Sequence, residues 1–121
     1  MAAYIHDDAF DAALGVLNDA TVIHILSQAV TTYASVATYT LGNKSSPTFG
    51  TITNGDVSGR KMQVNAVSGG SVTATGTASH VALVDGTRLL VCQALSSSQA
   101  VTNGNTFSLS AFDIEFPDPT S

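Results

Sequence analysis

Three histidines, His6, His24 and His80, are the residues whose chemistry could most directly support acid–base catalysis or metal binding. None of them stands in a His-x-x-x-His or His-Glu-x-x-His pattern. The single cysteine, Cys92, cannot build a cysteine-based zinc site, and its apolar neighbours favour a small buried side chain. Because His24 and His80 lie inside apolar, strand-like segments, we predict that both are hydrogen-bonded strand histidines.

The carboxylates offer two further arrangements. Asp113 and Glu115 share one face of a predicted strand, where two acids about 7 Å apart could act as a glycosidase pair. The same alternation is typical of a solvated strand face, and we favour that interpretation. Asp7, Asp8 and Asp11 are better explained by the capping of a helix than by calcium binding, since no twelve-residue ligand loop is present.

Motifs for nucleophilic or phosphate chemistry are missing from the sequence. Gly-x-Ser-x-Gly, Gly-x-Gly-x-x-Gly and the Walker loop do not occur, and the glycines fall in predicted turns. We therefore expect a protein that is not an enzyme, with no catalytic residue, no cofactor and no metal ion.

Composition indicates a β-rich protein with an unusually uncharged surface. The 121 residues suffice for one compact domain, and only 11% of them are charged, against about 25% in an ordinary protein. Serine and threonine fill the polar positions, with 14 and 15 copies. Such a surface suits pleated strands, and it suits contact with neighbouring proteins because few charges lose water there.

The charge balance argues against nucleic acid as a partner. The net charge is -5, and the four cations (Lys44, Arg60, Lys61 and Arg88) include one adjacent pair only. No apolar run approaches the length of a membrane span, and the N-terminal residues lack the pattern of a signal peptide. We expect a soluble protein that is made in a reducing cytoplasm.

The first half of the chain mixes helix and strand. Phe10, Leu14 and Leu17, with Ala13 beside them, form one apolar stripe of a helix of about ten residues, which Asp7 and Asp8 precede as caps. Residues 21–26 read as a first strand. Residues 28–41 are ambiguous between helix and strand, and residues 42–47 are predicted to be a loop.

From Phe49 onward the sequence predicts strands only. Residues 60–67 and 71–75 alternate around a turn at residues 68–70, which predicts a hairpin. Residues 78–84 and 88–95 follow, joined by a turn at Asp85-Gly86, and the second of these is apolar enough for burial on both faces. After a turn at residues 102–105, a last strand runs to Phe116. Its apolar parity switches near Ala111 and Phe112, which predicts a bulge or a change of sheet.

These patterns together predict a mainly β fold: a small antiparallel β-sandwich or barrel-like domain, residues 1–121, with one short N-terminal helix. We expect the apolar parity of the clearest strands to form the core: Met62, Val64, Ala66, Val72, Ala74, Leu90, Phe107, Leu109 and Phe112. Pro117 and Pro119 should end strand pairing.

Several stretches resemble a known group of proteins: residues 41–48 (LGNKSSPT), residues 59–61 (GRK), residues 72–86 and residues 105–118. They are similar to small virion structural proteins encoded in the head–tail gene region of tailed bacteriophages and prophages. In that family an aromatic residue often follows the histidine, whereas Val81 stands here. The resemblance covers about residues 4 to 118, and its motifs are turns and strands without catalytic residues.

The resemblance implies a virion component that acts by binding alone. We expect a head decoration or cement protein on the outer capsid surface, self-associating as a homotrimer and contacting the major capsid protein or other virion proteins. A collar, tail or head–tail connector component is the alternative within virions. A carbohydrate- or receptor-binding module is the alternative from a different class.

The ends of the chain are the expected contact segments. Residues 1–5 are predicted to be an N-terminal arm and residues 117–121 a C-terminal tail. The candidate interface residues are Tyr4, Ile5, Phe116 and Pro117, because they place apolar side chains next to Pro-broken or terminal backbone. We expect neither nucleic acid nor membrane to be a partner.

Overall fold

The structure, a computed structural model, describes residues 6–54 and 60–116. It is mainly β, with 56% of these described residues in strands. In chain order the elements are α1 (Asp7–Gly15), a 3-10 helix (Val16–Asp19), β1 (Val22–Leu26), α2 (Tyr33–Tyr39), β2 (Thr40–Ser45), β3 (Phe49–Asn54), β4 (Arg60–Val64), β5 (Val67–Val72), β6 (Gly76–Val84), β7 (Leu89–Val101), β8 (Thr106–Leu109) and β9 (Phe112–Phe116). The predicted fold class, mainly β with curled antiparallel sheets and a short N-terminal helix, is confirmed.

The described strands form two antiparallel sheets, and each lies in its own compact unit. The six-stranded unit comprises Ala20–Pro47 and Val67–Leu109. The three-stranded unit takes the described parts of Met1–Asp19, Thr48–Ala66 and Ser110–Ser121. Within the described residues, no helix is long and apolar enough to cross a membrane.

In the three-stranded unit the strand order is β3-β4-β9, and the sheet is amphipathic. Ile52, Met62 and Ile114 lie opposite one another across the three strands, and Met62 and Ile114 are buried. Gln63 and Asp113 lie opposite each other on the other face, which is polar. Because side chains alternate along a strand, one face contributes to the core while the other meets solvent.

Helix α1 begins differently from the prediction. Asp7 and Asp8 are its first two residues rather than caps ahead of it, and His6 is the N-cap. The Nδ1 atom of His6 accepts a hydrogen bond from the Asp8 N–H at 3.0 Å. The His6 imidazole therefore caps the helix, a role that the sequence predicts for an Asp carboxylate. Leu14 and Leu17 are buried as predicted. Ala13, placed on the same stripe, is exposed.

The six-stranded unit has the strand order β7-β6-β1-β2-β5-β8. Strand β6 lies inside the sheet, and its last four residues, from Val81 to Val84, are buried on both faces. The sequence predicts burial on both faces for residues 88–95, but β7 lies at the sheet edge and its residues from Leu89 to Gln93 are half-buried. Residues 89–92 of β7 are as apolar as residues 81–84 of β6, so hydrophobicity alone does not separate the edge strand from the inner one.

The predicted hairpin of residues 60–67 and 71–75 is wrong. Strand β4 pairs with β3 and β9, whereas β5 pairs with β2 and β8 in the other sheet. Residues 68–70 lie inside β5, where the register to β8 shifts between Val67 and Gly70. The glycines therefore belong to a bulged strand rather than to a turn.

The ambiguous segment contains both kinds of structure, since α2 ends at Tyr39 and β2 starts at Thr40. The prediction of a loop at residues 42–47 is wrong, because β2 continues through Ser45 and pairs with β1. Gly42, Asn43 and the residues after them look like a loop by composition. Inside the sheet, however, Gly42 lies against Val72 of β5, and an added Cβ would come within 3.1 Å of its Cα.

The predicted change of sheet near Ala111 and Phe112 is confirmed. Strand β8 belongs to the six-stranded sheet and β9 to the three-stranded sheet. Phe107 and Leu109 are buried in the first, and Ile114 is buried in the second. A switch of apolar parity within one segment thus marked the point where the chain leaves one sheet for another.

Five of the nine residues predicted for the core are buried, and four are not. Met62, Val64, Val72, Phe107 and Leu109 are buried. Ala74, Leu90 and Phe112 are only half-buried, and Ala66 is exposed. Ala66 follows the end of β4, where strand alternation no longer decides which face a side chain takes.

Candidate functional site

His24 lies on β1 at the start of a hydrogen-bond chain. Its Nδ1 atom is 2.9 Å from the hydroxyl oxygen of Thr40, and that hydroxyl donates to the carbonyl oxygen of Gly42 at 3.0 Å. A hydroxyl has one proton, so its use toward Gly42 makes the Nδ1–H of His24 the donor. Burial lowers the pKa of His24 below its ordinary value of 6.5.

His80 on β6 repeats this arrangement. Its Nδ1 atom lies 2.8 Å from the hydroxyl of Ser79, which donates to the carbonyl oxygen of Ser27 at 3.1 Å. A serine and a histidine at this distance resemble a nucleophile and its base. Here the serine proton points to a backbone carbonyl, so the imidazole is a donor and does not activate the hydroxyl.

The prediction of hydrogen-bonded strand histidines is confirmed for both His24 and His80. His6 is the cap of α1, in the other unit. Within residues 6–54 and 60–116, no three or more His, Cys, Asp or Glu side chains are grouped so that they could hold a metal ion. Cys92, predicted to be a small buried side chain, is half-buried and packs against the apolar cluster beside β1.

The polar face of the three-stranded sheet carries a shallow hollow of about 350 Å³. Asp113 lies there, and its Oδ2 atom is 3.4 Å from the Nζ atom of Lys61. The side chain of Asp113 is 36% exposed, which agrees with the solvated strand face predicted for it. Six residues line the hollow: Gly50, Thr51, Thr53, Lys61, Gln63 and Asp113.

Arg60 connects helix α1 to the same sheet. Its Nε atom donates to Oδ1 of Asp11 at 2.8 Å, and its Nη1 atom donates to Oδ1 of Asn54 at 2.7 Å. Asp11, predicted to serve α1 through capping, instead joins the helix to β4. Both charged side chains are partly buried, with 20% of Arg60 and 33% of Asp11 exposed.

The turn between β6 and β7 is built around Asp85. Its carboxylate accepts hydrogen bonds from the Thr87 N–H, the Arg88 guanidinium and the Arg88 N–H at 3.0, 2.6 and 2.7 Å. These bonds hold the pKa of the Asp85 carboxyl well below its usual range. The predicted turn at Asp85-Gly86 is confirmed, with Gly86 at a φ of 98°.

Sequence reasoning missed the edge strand β7 as a candidate contact surface. Its 13 residues contain no charged side chain and no proline. The pairing with β6 is interrupted at two points, around Leu90 and between Ala94 and Gln99. Near its end, the Gln99 side chain donates to the Ser108 carbonyl of β8 at 3.4 Å, so the two outer strands of this sheet approach each other there.

The candidate interface residues are not brought together by the described structure. Tyr4, Ile5 and Pro117 lie outside the described residues, as do the predicted arm (residues 1–5) and tail (residues 117–121). Phe116 is the last residue of β9. No protein-family model matches the chain, and neither a curated protein nor a solved structure matches it.

Proposed function

We propose that this protein is a structural component of a bacteriophage virion: a decoration or cement protein that binds the outer head surface and acts by binding alone. The resemblance of residues 4–118 to small phage head–tail region proteins supports this role. In it, the chain self-associates as a homotrimer and contacts the major capsid protein or another virion protein. Its location is the virion, after synthesis in the cytoplasm of the host bacterium.

The uncharged edge strand β7 is the observation that carries the proposal. Strands at a sheet edge present unpaired backbone groups, and proteins usually guard them with charged side chains, proline or bulges. Strand β7 has bulges but neither charge nor proline over its 13 residues. Its exposed side chains, among them Ala94, Ser96 and Ala100, are small. Another protein can pack against such an edge without desolvating a charge.

The distribution of charge supports a position away from packaged DNA. The net charge is -5, and Arg60, Lys61 and Arg88 each lie beside a carboxylate of the same chain. Phosphate binding needs several cations free to replace counterions along the duplex. On the outer surface, the protein would add buried area across neighbouring capsid subunits and so oppose the outward pressure of the packaged genome.

The polar hollow of the three-stranded sheet favours a second candidate, a carbohydrate- or receptor-binding module. Lys61, Gln63 and Asp113 offer donors and acceptors within a space of about 350 Å³. The chain has no tryptophan and three tyrosines, whereas sugar-binding platforms usually rely on such rings. We therefore rank this candidate second. Lys61→Ala and Asp113→Ala should abolish glycan binding if it is correct.

Purified virions from the bacterium that carries the gene provide the decisive test. We expect the chain to co-purify with heads in a fixed ratio, and virions from a gene deletion to release DNA at a lower temperature. Adding the purified protein back should restore heat resistance. Recovery with separated tails would favour the tail, collar or connector role, and absence from all virion fractions would contradict the proposal.

A pair of lysine substitutions tests the contact surface itself. Ala94→Lys puts a charge on the exposed part of β7, and Ala13→Lys puts the same charge on an exposed position of α1. We expect Ala94→Lys to lower occupancy on deletion virions and Ala13→Lys to leave it unchanged. Equal occupancy for both variants would show that β7 is not part of the surface that contacts the virion.

A further inference from the structure

Residues 27–40, here called the α2 loop, leave the six-stranded sheet between β1 and β2 and carry helix α2. The two ends of the loop meet, because the Ser27 N–H donates to the Tyr39 carbonyl at 3.1 Å. Thr32 caps the helix by accepting a hydrogen bond from the Ser35 N–H at 3.2 Å. Apart from Thr40, which begins β2, the loop takes no part in strand pairing.

A histidine is tied to each end of the α2 loop. At the end of the loop, His24 contacts the hydroxyl of Thr40. At its start, the carbonyl of Ser27 accepts from the hydroxyl of Ser79, which His80 contacts in turn. Both contacts use Nδ1 as the donor, as argued above, so protonation of His24 must take place at Nε2 of its ring.

The two histidines also share one face of the sheet. His24 pairs with Ala82 of β6, and Leu26 pairs with His80 of the same strand. His24 and His80 are therefore diagonal neighbours, a relationship that places side chains about 7–8 Å apart.

The α2 loop covers this face with apolar side chains. Val36 of α2 and Val30 are buried in a cluster with Leu26, Ala82 and Val84. A hollow of about 90 Å³ remains beside His24, lined by Tyr33, Val36 and Ala37 in addition to the imidazole. A charge on His24 would therefore form against mostly apolar walls, where it is poorly solvated.

The groups that face His24 provide no compensating negative charge. Strand β2 contributes Thr40 and Asn43, β6 contributes Ala82 with His80 diagonal to it, and α2 contributes Tyr33. Tyr39 and Cys92, also titratable, pack against the same cluster. Lys44 pairs with Ile23 and so belongs to the opposite face. Among these described groups, none is a carboxylate.

We propose that the α2 loop is an acid-released flap, which opens from the sheet when His24 becomes protonated. Opening hydrates the His24 ring and breaks two contacts, that of His24 with the Thr40 hydroxyl and that of the Ser27 carbonyl with the Ser79 hydroxyl. The lowered pKa of His24 agrees with this direction, because the closed state disfavours the proton that the open state accepts. The device is independent of the virion role proposed above.

Hydrogen exchange of the full-length protein, followed by mass spectrometry from pH 7.5 to 5.0, tests the flap. Each rate is divided by the intrinsic rate at the same pH. We expect the opening of residues 27–40 to rise by up to about tenfold per pH unit below 6.5, until the closed state also binds the proton. Amides of β6 should stay protected. Equal loss of protection in β6, or no change in residues 27–40, would overturn the proposal.

Histidine variants separate titration from packing. In His24→Asn the side-chain amide can still donate to Thr40 but does not titrate, so the pH-dependent opening should vanish. His6→Asn, which keeps a capping side chain on α1, should behave as wild type. If His24→Asn does not fold, Val36→Ala with all histidines present should raise opening at every pH with the same slope. Unchanged pH dependence in His24→Asn, or a flat pH profile in Val36→Ala, contradicts the proposal.

Discussion

Gly70 and Phe107 lie opposite each other on β5 and β8, and the phenylalanine ring occupies the space that a side chain at position 70 would need. A Cβ atom built on Gly70 would overlap the ring, and Phe107 is 4% exposed. The glycine therefore creates the site in which the largest side chain of β8 is buried. This contact across neighbouring strands fixes the position of β8 at the sheet edge.

We expect Gly70→Ala to destabilise the protein by about 1–3 kcal/mol, since the ring must move out of its site. Phe107→Ala should cost about 3–5 kcal/mol through the cavity that it leaves. Urea unfolding of both variants and of the double variant checks the relationship. The double variant should be more stable than the sum of the two losses predicts, because the alanine at position 70 then meets empty space.

Gly50→Ala is the matched control for this prediction. A Cβ at position 50 would meet the Gln63 side chain at an ordinary 3.5 Å, so its effect should stay within about 1 kcal/mol. Strictly additive losses in the Gly70→Ala, Phe107→Ala double variant would show that Gly70 does not make room for the Phe107 ring.

The same two residues show how far the sequence could predict this fold. Alternation is a local property, so the burial of Phe107 and the change of sheet after Leu109 were both predictable. The pairing of the strands with one another was not predictable. The glycines at residues 68–70 looked like a turn, but Gly70 is required by a ring that is 37 positions further along the chain.

The candidate site, like the fold, was predictable from the sequence only in part. The apolar neighbours of His24 and His80 were enough to predict two strand histidines with hydrogen bonds. Their position on one face depends on the register between β1 and β6. These strands are far apart in the sequence, and no local pattern predicts that they pair. The partners Thr40 and Ser79 could not be chosen among 29 serines and threonines without that register.

The Arg60–Asp11 ion pair should stabilise the attachment of α1 to its sheet. Arg60→Lys keeps the charge but cannot reproduce the contacts to both Asp11 and Asn54. Because both partners retain some solvent exposure, we expect a loss of about 1 kcal/mol in urea unfolding. Lys61→Gln, which alters the longer 3.4 Å contact to Asp113, should cost less than about 0.5 kcal/mol. A larger loss for Lys61→Gln than for Arg60→Lys would show that the Lys61–Asp113 contact contributes more stability than the Arg60–Asp11 ion pair.

Deletion of residues 2–5 tests the predicted N-terminal arm. Tyr4 and Ile5 are apolar, and fixing each residue of a chain end costs about 1–2 kcal/mol, which a neighbouring subunit can offset by offering apolar surface. We expect an unchanged melting temperature but weaker self-association in sedimentation and lower occupancy on virions. Unchanged association and occupancy would exclude an arm, whereas a large fall in melting temperature would make the segment part of the fold.

Stability in acid should depend on Asp85. Hydrogen bonds from the Thr87 N–H, the Arg88 guanidinium and the Arg88 N–H keep the folded pKa of Asp85 below the unfolded value of 3.8. The carboxylate therefore contributes stability that is fully present above pH 3.8 and is lost as the pH falls from there toward the folded pKa. Asp85→Asn retains an oxygen for the backbone bonds but loses the charge that Arg88 contacts.

We expect wild type to be more stable than Asp85→Asn at pH 7, with a difference that shrinks between pH 4 and pH 2.5 in urea titrations. Thr87→Val is the matched control, because it removes only the 3.2 Å hydroxyl contact and leaves both backbone donors and the guanidinium in place. This variant should lose stability over the same pH range as wild type. If the difference between wild type and Asp85→Asn were constant down to pH 2.5, the hydrogen bonds at Asp85 would not be coupled to its protonation.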